Sequence, residues 1–281
     1  MRKHRYNIRF PVTESHKVGQ DEVQFLLEEN NQIVNLRFHD YGELYKRPGL
    51  YEQLFYDRLK CSSPDKVSEI LAKVLKQNNL EMSELRVLDL GAGNGMVGER
   101  LFKMGVSRLI GIDINANAQE ACFRDRPGIY DAYYVADLCK QDAYLKDELL
   151  TWQVDCLSCV AALGFGDIPT EAFINAYNLV KQGGWIVFNV KETFMQESDD
   201  SGFSKLIKQL LLKDILEVHH LERYRHRLSI DGTPLYYYVL AGKKESDIAL
   251  DTTLSPDNTS TPLTLPITKQ GNESRQNFYK H

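Results

Sequence analysis

Three acids close three successive apolar runs. Asp89 follows Val87-Leu88, Asp113 follows Leu109-Ile110-Gly111-Ile112, and Asp137 follows Tyr133-Tyr134-Val135-Ala136. Directly after the first of them comes Leu90-Gly91-Ala92-Gly93-Asn94-Gly95, with glycine at alternate positions. An apolar run ending in an acid and a glycine loop reads as a buried strand entering a tight turn, where backbone must approach a ligand closely. The helix that follows turns its N-terminal N–H groups toward the same place. Each acid alone is explained equally well as a helix cap, since Asp113 and Asp137 both precede helical segments. Three at matched strand ends, beside a glycine loop, point instead to a nucleoside-type ligand laid across the carboxyl edge of a parallel sheet.

The elements needed to position these residues are legible. From Leu85 the chain alternates strand and helix. Strands are expected at Leu85–Leu90, Arg108–Asp113, Tyr130–Asp137, Val154–Ala162 and Trp185–Val190. Helices are expected from Gly95 to Met104, up to Pro127, around Gln141–Leu150, and from Thr170 to Gly183-Gly184. Such alternation implies parallel strands with right-handed crossovers and helices on both faces. Ser63 as N-cap and Pro64 at the first helical position announce a helix with Val67, Ile70, Leu71, Val74 and Leu75 on one face. Beyond strand five, Phe203, Leu206, Ile207, Leu210 and Leu211 form an amphipathic face, read as a helix covering the sheet. Leu216–Leu228 and Leu235–Ala241 then form an antiparallel hairpin around Asp231-Gly232-Thr233-Pro234.

Two flanks lie outside this series. Val23, Phe25, Leu27 and then Val34, Leu36, Phe38 alternate with polar residues around Glu28-Glu29-Asn30-Asn31, which predicts a hairpin. This extension, residues 1–45, is open to three readings: a cap, an added sheet edge or a homodimer contact. Residues 46–244 form the ligand-binding domain. The Ser/Thr/Pro/Asn/Gln-rich residues 245–281 read as a disordered tail.

Composition sets bounds. The chain has 281 residues, 43% hydrophobic and 26% charged, with a net charge of −5 and a pI near 5.8. The acidic balance weighs against a nucleic-acid partner. No apolar run approaches the length of a bilayer span and no signal-peptide core follows the basic N-terminus, so no membrane association and a cytoplasmic location are expected. Of the five cysteines, Cys156 and Cys159 form a CxxC inside an expected strand, where residues three apart face opposite sides. A core role is read for them, and no metal site.

Asp89-x-Gly91-x-Gly93-x-Gly95 at the first strand end, five parallel strands, and a closing helix and hairpin together resemble the class I S-adenosylmethionine (SAM)-dependent methyltransferases, over about Phe55 to Lys243. Within that class, Phe55-Tyr56-Asp57, Arg126-Pro127-Gly128-Ile129-Tyr130 and Lys181-Gln182-Gly183-Gly184 are similar to the Williams–Beuren-region methyltransferase group. The resemblance implies an α/β fold: a Rossmann-like three-layer sandwich with a mostly parallel seven-stranded sheet and a terminal antiparallel β-hairpin. It implies SAM as cofactor. Gly91, Ala92, Gly93 and Gly95 would cradle its methionine portion, and Asp89 would supply negative charge near its ammonium. Asp113 would accept from both ribose hydroxyls, a role suited to a two-oxygen acceptor. Ile114 would pack on the adenine. Asp137 would accept from the adenine amino group, and Leu138 would offer a backbone N–H. Val160 and Ala161 would line the site near the reactive methyl, and Tyr56 would close over the cofactor.

The implied reaction is methyl transfer to a small molecule. Strand four continues into Ala161-Ala162-Leu163-Gly164 rather than the Asn/Asp-Pro-Pro-aromatic segment of enzymes that methylate planar amino groups. No catalytic base stands out; His39, Tyr51, Lys191, Glu192 and His219 are the groups that could position an acceptor. Two other readings compete. A non-enzymatic nucleoside sensor would bind SAM without turnover. A nicotinamide dehydrogenase is suggested by Gly93-x-Gly95-x-x-Gly98 with Asp113 about 20 residues on, but Asp89 would then repel a pyrophosphate.

Overall fold

A computed structural model describes residues 5–11, 22–140, 142–163, 167–195 and 202–249, all within one unit formed by residues 1–250. Of the tail expected to be disordered, residues 245–249 are described and pack on the domain: Ile248 is buried, and its N–H and carbonyl both bond to the Asn178 side chain, at 2.9 and 2.8 Å; the rest lies outside the described residues. The chain opens with a three-stranded antiparallel sheet of β1 (Asn7–Arg9), β2 (Gln24–Glu29) and β3 (Gln32–Arg37). The expected hairpin is β2–β3. Asn30 and Asn31 form its two-residue loop with φ of 51° and 61°, the paired positive values that a tight hairpin of this twist requires and that asparagine tolerates. β1 was not foreseen; with only three residues it shows no period of its own.

The sheet buries Ile8, Phe25, Leu27 and Leu36 against α1 (Tyr41–Lys46), α2 (Leu50–Glu52) and the π-helical turn Gln53–Arg58 that continues α2. α3 (Ser63–Gln77) follows, with Val67, Ile70, Leu71, Val74 and Leu75 buried as its spacing requires. Its start departs from expectation: Ser63 is the first helical residue and makes no cap bond. Its hydroxyl turns inward, 2.7 Å from Tyr224 Oη and 2.6 Å from His226 Nδ1, because these buried polar groups need partners more than a solvated helix end does.

The alternating series follows in order: β4 (Arg86–Leu90), α4 (Met96–Lys103), β5 (Arg108–Asp113), α5 (Ala116–Asp125), β6 (Ala132–Val135), α6 (Ala143–Thr151), β7 (Cys156–Leu163), α7 (Thr170–Leu179) and β8 (Trp185–Lys191), then α8 (Phe203–Leu212) and the hairpin β9 (Leu216–Leu228) and β10 (Pro234–Lys244). The sheet has seven strands in the order β6-β5-β4-β7-β8-β10-β9. β4 to β8 pair in parallel, and β10 pairs antiparallel with both β8 and β9. The strand order reverses between β4 and β7, so a crevice opens at their carboxyl ends, where open α/β sheets bind ligands.

Two cores fill the sandwich. One packs α3 and α4 on one sheet face through Leu71, Val74 and Leu101. The other packs α7 and α8 on the opposite face through Phe173, Tyr177 and Leu210. Cys156 belongs to the first core and Cys159 to the second, as residues three apart on a strand must. β6 ends two residues short of Asp137, which therefore sits on the loop just beyond the sheet. No helix among the described residues is long and apolar enough to cross a membrane.

Candidate active site at the carboxyl edge of the sheet

A cavity of about 240 Å³ opens where β4, β5, β6 and β7 end. Gly91, Ala92 and Gly93 form its floor, Asp113 and Ile114 one side, Asp137 and Leu138 the next, and Val160 and Ala161 the far end, while Tyr56 closes it from the N-terminal segment. Of the residues singled out from sequence, Asp89 and Gly95 do not line it. Gly95 closes the loop as the residue before α4, and Asp89 stands behind the loop, 1% exposed.

Asp113 is held ready to accept. Its Oδ2 takes the N–H of Gly93 at 2.8 Å and its Oδ1 that of Asn115 at 2.9 Å. Burial raises its pKa above the ordinary carboxylate value, against the pull of the backbone N–H groups of Asn115, Gly93 and Ile114, and Asp167 adds to the rise. Two N–H donors occupy about half the lone-pair sites of a carboxylate, leaving room for two further hydroxyls. Beside it Ile114 is 66% exposed, an apolar surface offered to the cavity. Asp137 Oδ1 accepts from Cys139 N at 3.0 Å. Leu138 is fixed by its carbonyl, which accepts from Asn175 Nδ2 at 2.7 Å.

Asp89 receives the Tyr130 hydroxyl at 2.7 Å and the Ser158 hydroxyl at 2.8 Å. Burial nevertheless pushes its carboxyl up to about 6, the two hydroxyls moderating the shift and Asp113 adding to it. Its place is structural support behind the loop: Tyr130 reaches it from the segment before β6, and Ser158 from β7.

The far end is strained. Ala161 has φ of 56°, the left-handed region that side chains with a Cβ rarely adopt. The pairing of β7 with β8 is interrupted between Cys159 and Leu163, and Ala161 N donates to Asn189 Oδ1 at 2.6 Å. Asn189 is fully buried and its amide donates to Tyr224 Oη at 2.6 Å. This network holds the β7 end open where an undistorted ladder would have closed it; such strain concentrates at functional sites.

The wall facing the glycine loop was not assigned from sequence. Tyr41, Tyr45 and Tyr51, from α1 and α2, all line the cavity, with the Tyr45 and Tyr51 rings 5.1 Å apart and Tyr41 stacked on Tyr45 at 6.2 Å. The aromatic density of residues 41–56 was the available signal. Of the groups considered as acceptor-positioning, only Tyr51 lines this cavity. His39 stands at its rim, with Nδ1 3.2 Å from Asp167. Glu192 pairs with Arg223 at 2.6 Å, His219 packs edge-on to Trp185, and Lys191 ends β8.

Residues 88–188 match the methyltransferase-domain family. Solved structures similar to the chain include Thermoplasma acidophilum protein 1320, at 15% identity and a TM-score of 0.48 over 73% of this chain and 98% of that one. Magnesium protoporphyrin IX methyltransferase from Synechocystis with bound SAM is 15% identical, with a TM-score of 0.45 over 65% and 79% of the two chains. Ribosomal protein L11 methylase from Lactobacillus delbrueckii is 15% identical, with a TM-score of 0.42 over 64% and 79%. No curated protein sequence matches the chain. The matched segment runs from within β4 to within β8 and contains the whole glycine loop, Asp113 and Asp137. Residues 88–188 therefore carry a SAM-dependent methyltransferase domain, with SAM as its cofactor.

The residues present fit that cofactor. Asp113 has acceptor capacity for a vicinal diol, Ile114 presents an apolar face for a base, and the floor is bare backbone. Glu52, beside the loop, takes Asn94 Nδ2 at 3.0 Å and Arg126 Nη1 at 2.8 Å on Oε1, while its buried Oε2 has no partner among the described residues, an acceptor suited to an ammonium. SAM supplies an activated methyl on a sulfonium; the protein binds it, orients it and excludes water. Gly93 is the tightest point of the cradle. Its φ is 54°, and a Cβ there would lie 2.7 Å from Tyr45 Oη. Gly93→Ala is expected to cost about 1–2 kcal/mol through the left-handed dihedral alone. It should also displace Tyr45 and weaken SAM binding at least tenfold, measurable by thermal denaturation and calorimetric titration.

Proposed function

We propose that the chain transfers the methyl group of SAM to a small-molecule acceptor by direct in-line displacement. The observation that carries this reading is the shape of the acceptor side. A second cavity of about 40 Å³ adjoins the first, and Tyr41, Tyr51, Ala161 and Asp167 line both. It is walled by α1, α2, the π-helical turn, β7 and the β9–β10 hairpin. A narrow chamber roofed by tyrosines suits a small molecule better than a polymer, and the net charge of −5 disfavours a polyanion.

No base is needed unless the acceptor must lose a proton early. Holding the acceptor in line with the methyl supplies on the order of 7–11 kcal/mol in the ideal case. The likeness of Phe55-Tyr56-Asp57 and its companions to the Williams–Beuren-region group points the same way. The N-terminal sheet is read as a cap on this chamber, since it packs against α2 and the π-helical turn that form its wall. The test is methyl transfer from radiolabelled SAM into a cell extract divided by ultrafiltration. Label is expected in an enzyme-dependent compound of the low-molecular-mass filtrate that chromatography separates from unreacted SAM. Label confined to RNA or protein would overturn the small-molecule reading.

A further inference from the structure

The 40 Å³ chamber holds one feature the cofactor does not require. Arg227, on β9, lines it and is 6% exposed. A guanidinium carries five N–H donors, and the hydrogen bond it makes is from Nη1 to the carbonyl of Leu228 at 3.0 Å. The rings of Phe38 and Phe55 lie 5.5 and 6.0 Å from its charged carbon, which compensates the charge only in part. No carboxylate among the described residues pairs with it. The other well-shielded arginines behave differently: Arg126 pairs with Glu52 and Glu99, and Arg47 with Glu29 and Glu43. A buried charge without a counter-ion is expensive, and structures seldom keep one unless an anion comes to it.

We infer that Arg227 is the anchor for a carboxylate on the methyl acceptor, so that the substrate is a small carboxylic acid bound with its acid group in this chamber. The assignment rests on the methyl-transfer reading above and names the substrate class for that site. Size supports a carboxylate: at roughly 10–15 Å³ for one water-sized probe, the chamber has room for about three heavy atoms. Arg227 makes itself felt around the chamber, moderating the burial-raised pKa values of Tyr41, Tyr237 and Cys61. His226, adjacent on the strand, is pushed well below its ordinary value by burial and then by Arg227, so it adds no second cation. The chamber's own carboxyl group, Asp167, lies against His39 at 3.2 Å, which leaves the guanidinium as the place for an incoming carboxylate. The planar fork of arginine matches a carboxylate bidentately, and lysine does not reproduce it.

The test is an NMR titration of the full chain, labelled at arginine Nε and saturated with S-adenosylhomocysteine, the demethylated cofactor. The Arg227 signal is identified by its loss in R227K. Sodium acetate is expected to shift that signal saturably, acetamide to leave it unmoved, and inorganic phosphate to act more weakly than acetate. A signal indifferent to acetate, or one that answers phosphate better, would overturn the inference. R227M and R227K should keep cofactor affinity within about threefold of the parent while labelled product from the anion-exchange-retained part of the filtrate falls at least thirtyfold at limiting acceptor; a loss below tenfold means less than about 1.4 kcal/mol and no anchoring role. Cofactor binding is read separately by calorimetry. If S-adenosylhomocysteine fails to bind, the methyltransferase reading falls, and the acetate titration of the cofactor-free chain still decides the anion site.

Discussion

Replacing Asp113 by alanine is expected to weaken SAM binding by at least about 100-fold while the chain stays folded. A hydrogen bond to a charged acceptor contributes about 1.5–3 kcal/mol, and two ribose hydroxyls on one carboxylate lose both when it is removed. A factor of 100 corresponds to about 2.8 kcal/mol, near the lower end of that sum. The glycine loop suffers as well, because the N–H of Gly93 loses its acceptor Oδ2. Stability should change little, since the burial that raises the Asp113 pKa marks a charged form the empty fold holds at a cost. Asp113→Asn separates the contributions. It keeps the shape but replaces one acceptor oxygen by a donor, so it should fall between the parent and the alanine variant. Calorimetric titration with SAM checks both, with circular dichroism confirming the fold. Normal affinity in Asp113→Ala would remove the ribose role.

The second large effect concerns Asp89. Its carboxyl is raised from 3.8 to about 6 in the folded chain, chiefly by burial. Between those values the unfolded chain has lost the proton and the folded chain retains it. Stability therefore falls as pH rises through this window, and above about 6 the full penalty is in force. A shift of about two units corresponds to about 3 kcal/mol. Asp89→Asn does not titrate and escapes the penalty, while the Tyr130 and Ser158 hydroxyls can reorient so that one donates to its oxygen and the other accepts from its nitrogen. The stability of Asp89→Asn relative to the parent should accordingly improve by about 2.5 kcal/mol between pH 4, where part of the penalty is already present, and pH 7.5. Urea denaturation of both proteins at several pH values measures it, and a difference that stays flat with pH would mean that Asp89 does not carry this shift.

What the sequence revealed and what it withheld follow from the range of the interactions. The glycine loop, Asp113 and Asp137 were legible because they rest on local signals: a strand that ends, a turn that needs glycine, an acid at a fixed offset. The parallel pairing of the central strands and the antiparallel hairpin that closes the sheet followed from the strand–helix alternation and the run of extended residues after it. The chamber was not legible. His39 meets Asp167 across 128 residues of sequence, and Arg227 sits in an alternating strand pattern, Glu222-Arg223-Tyr224-Arg225-His226-Arg227, where a basic residue reads as solvated. Only the β9–β10 hairpin and the neighbouring phenylalanines turn it inward. The left-handed backbone at Ala161 depends on Asn189 from the next strand, which no pattern around Ala161 announces. Ser63 shows the same limit: a sound N-cap signal gave way to buried partners from β9.

The most direct measurement is a calorimetric titration of the intact chain with SAM, S-adenosylhomocysteine and a nicotinamide dinucleotide in turn. The cavity formed by the glycine loop, Asp113 and Asp137 should bind the first two one-to-one and ignore the third. Binding of the dinucleotide with no heat from either adenosyl compound would contradict the account.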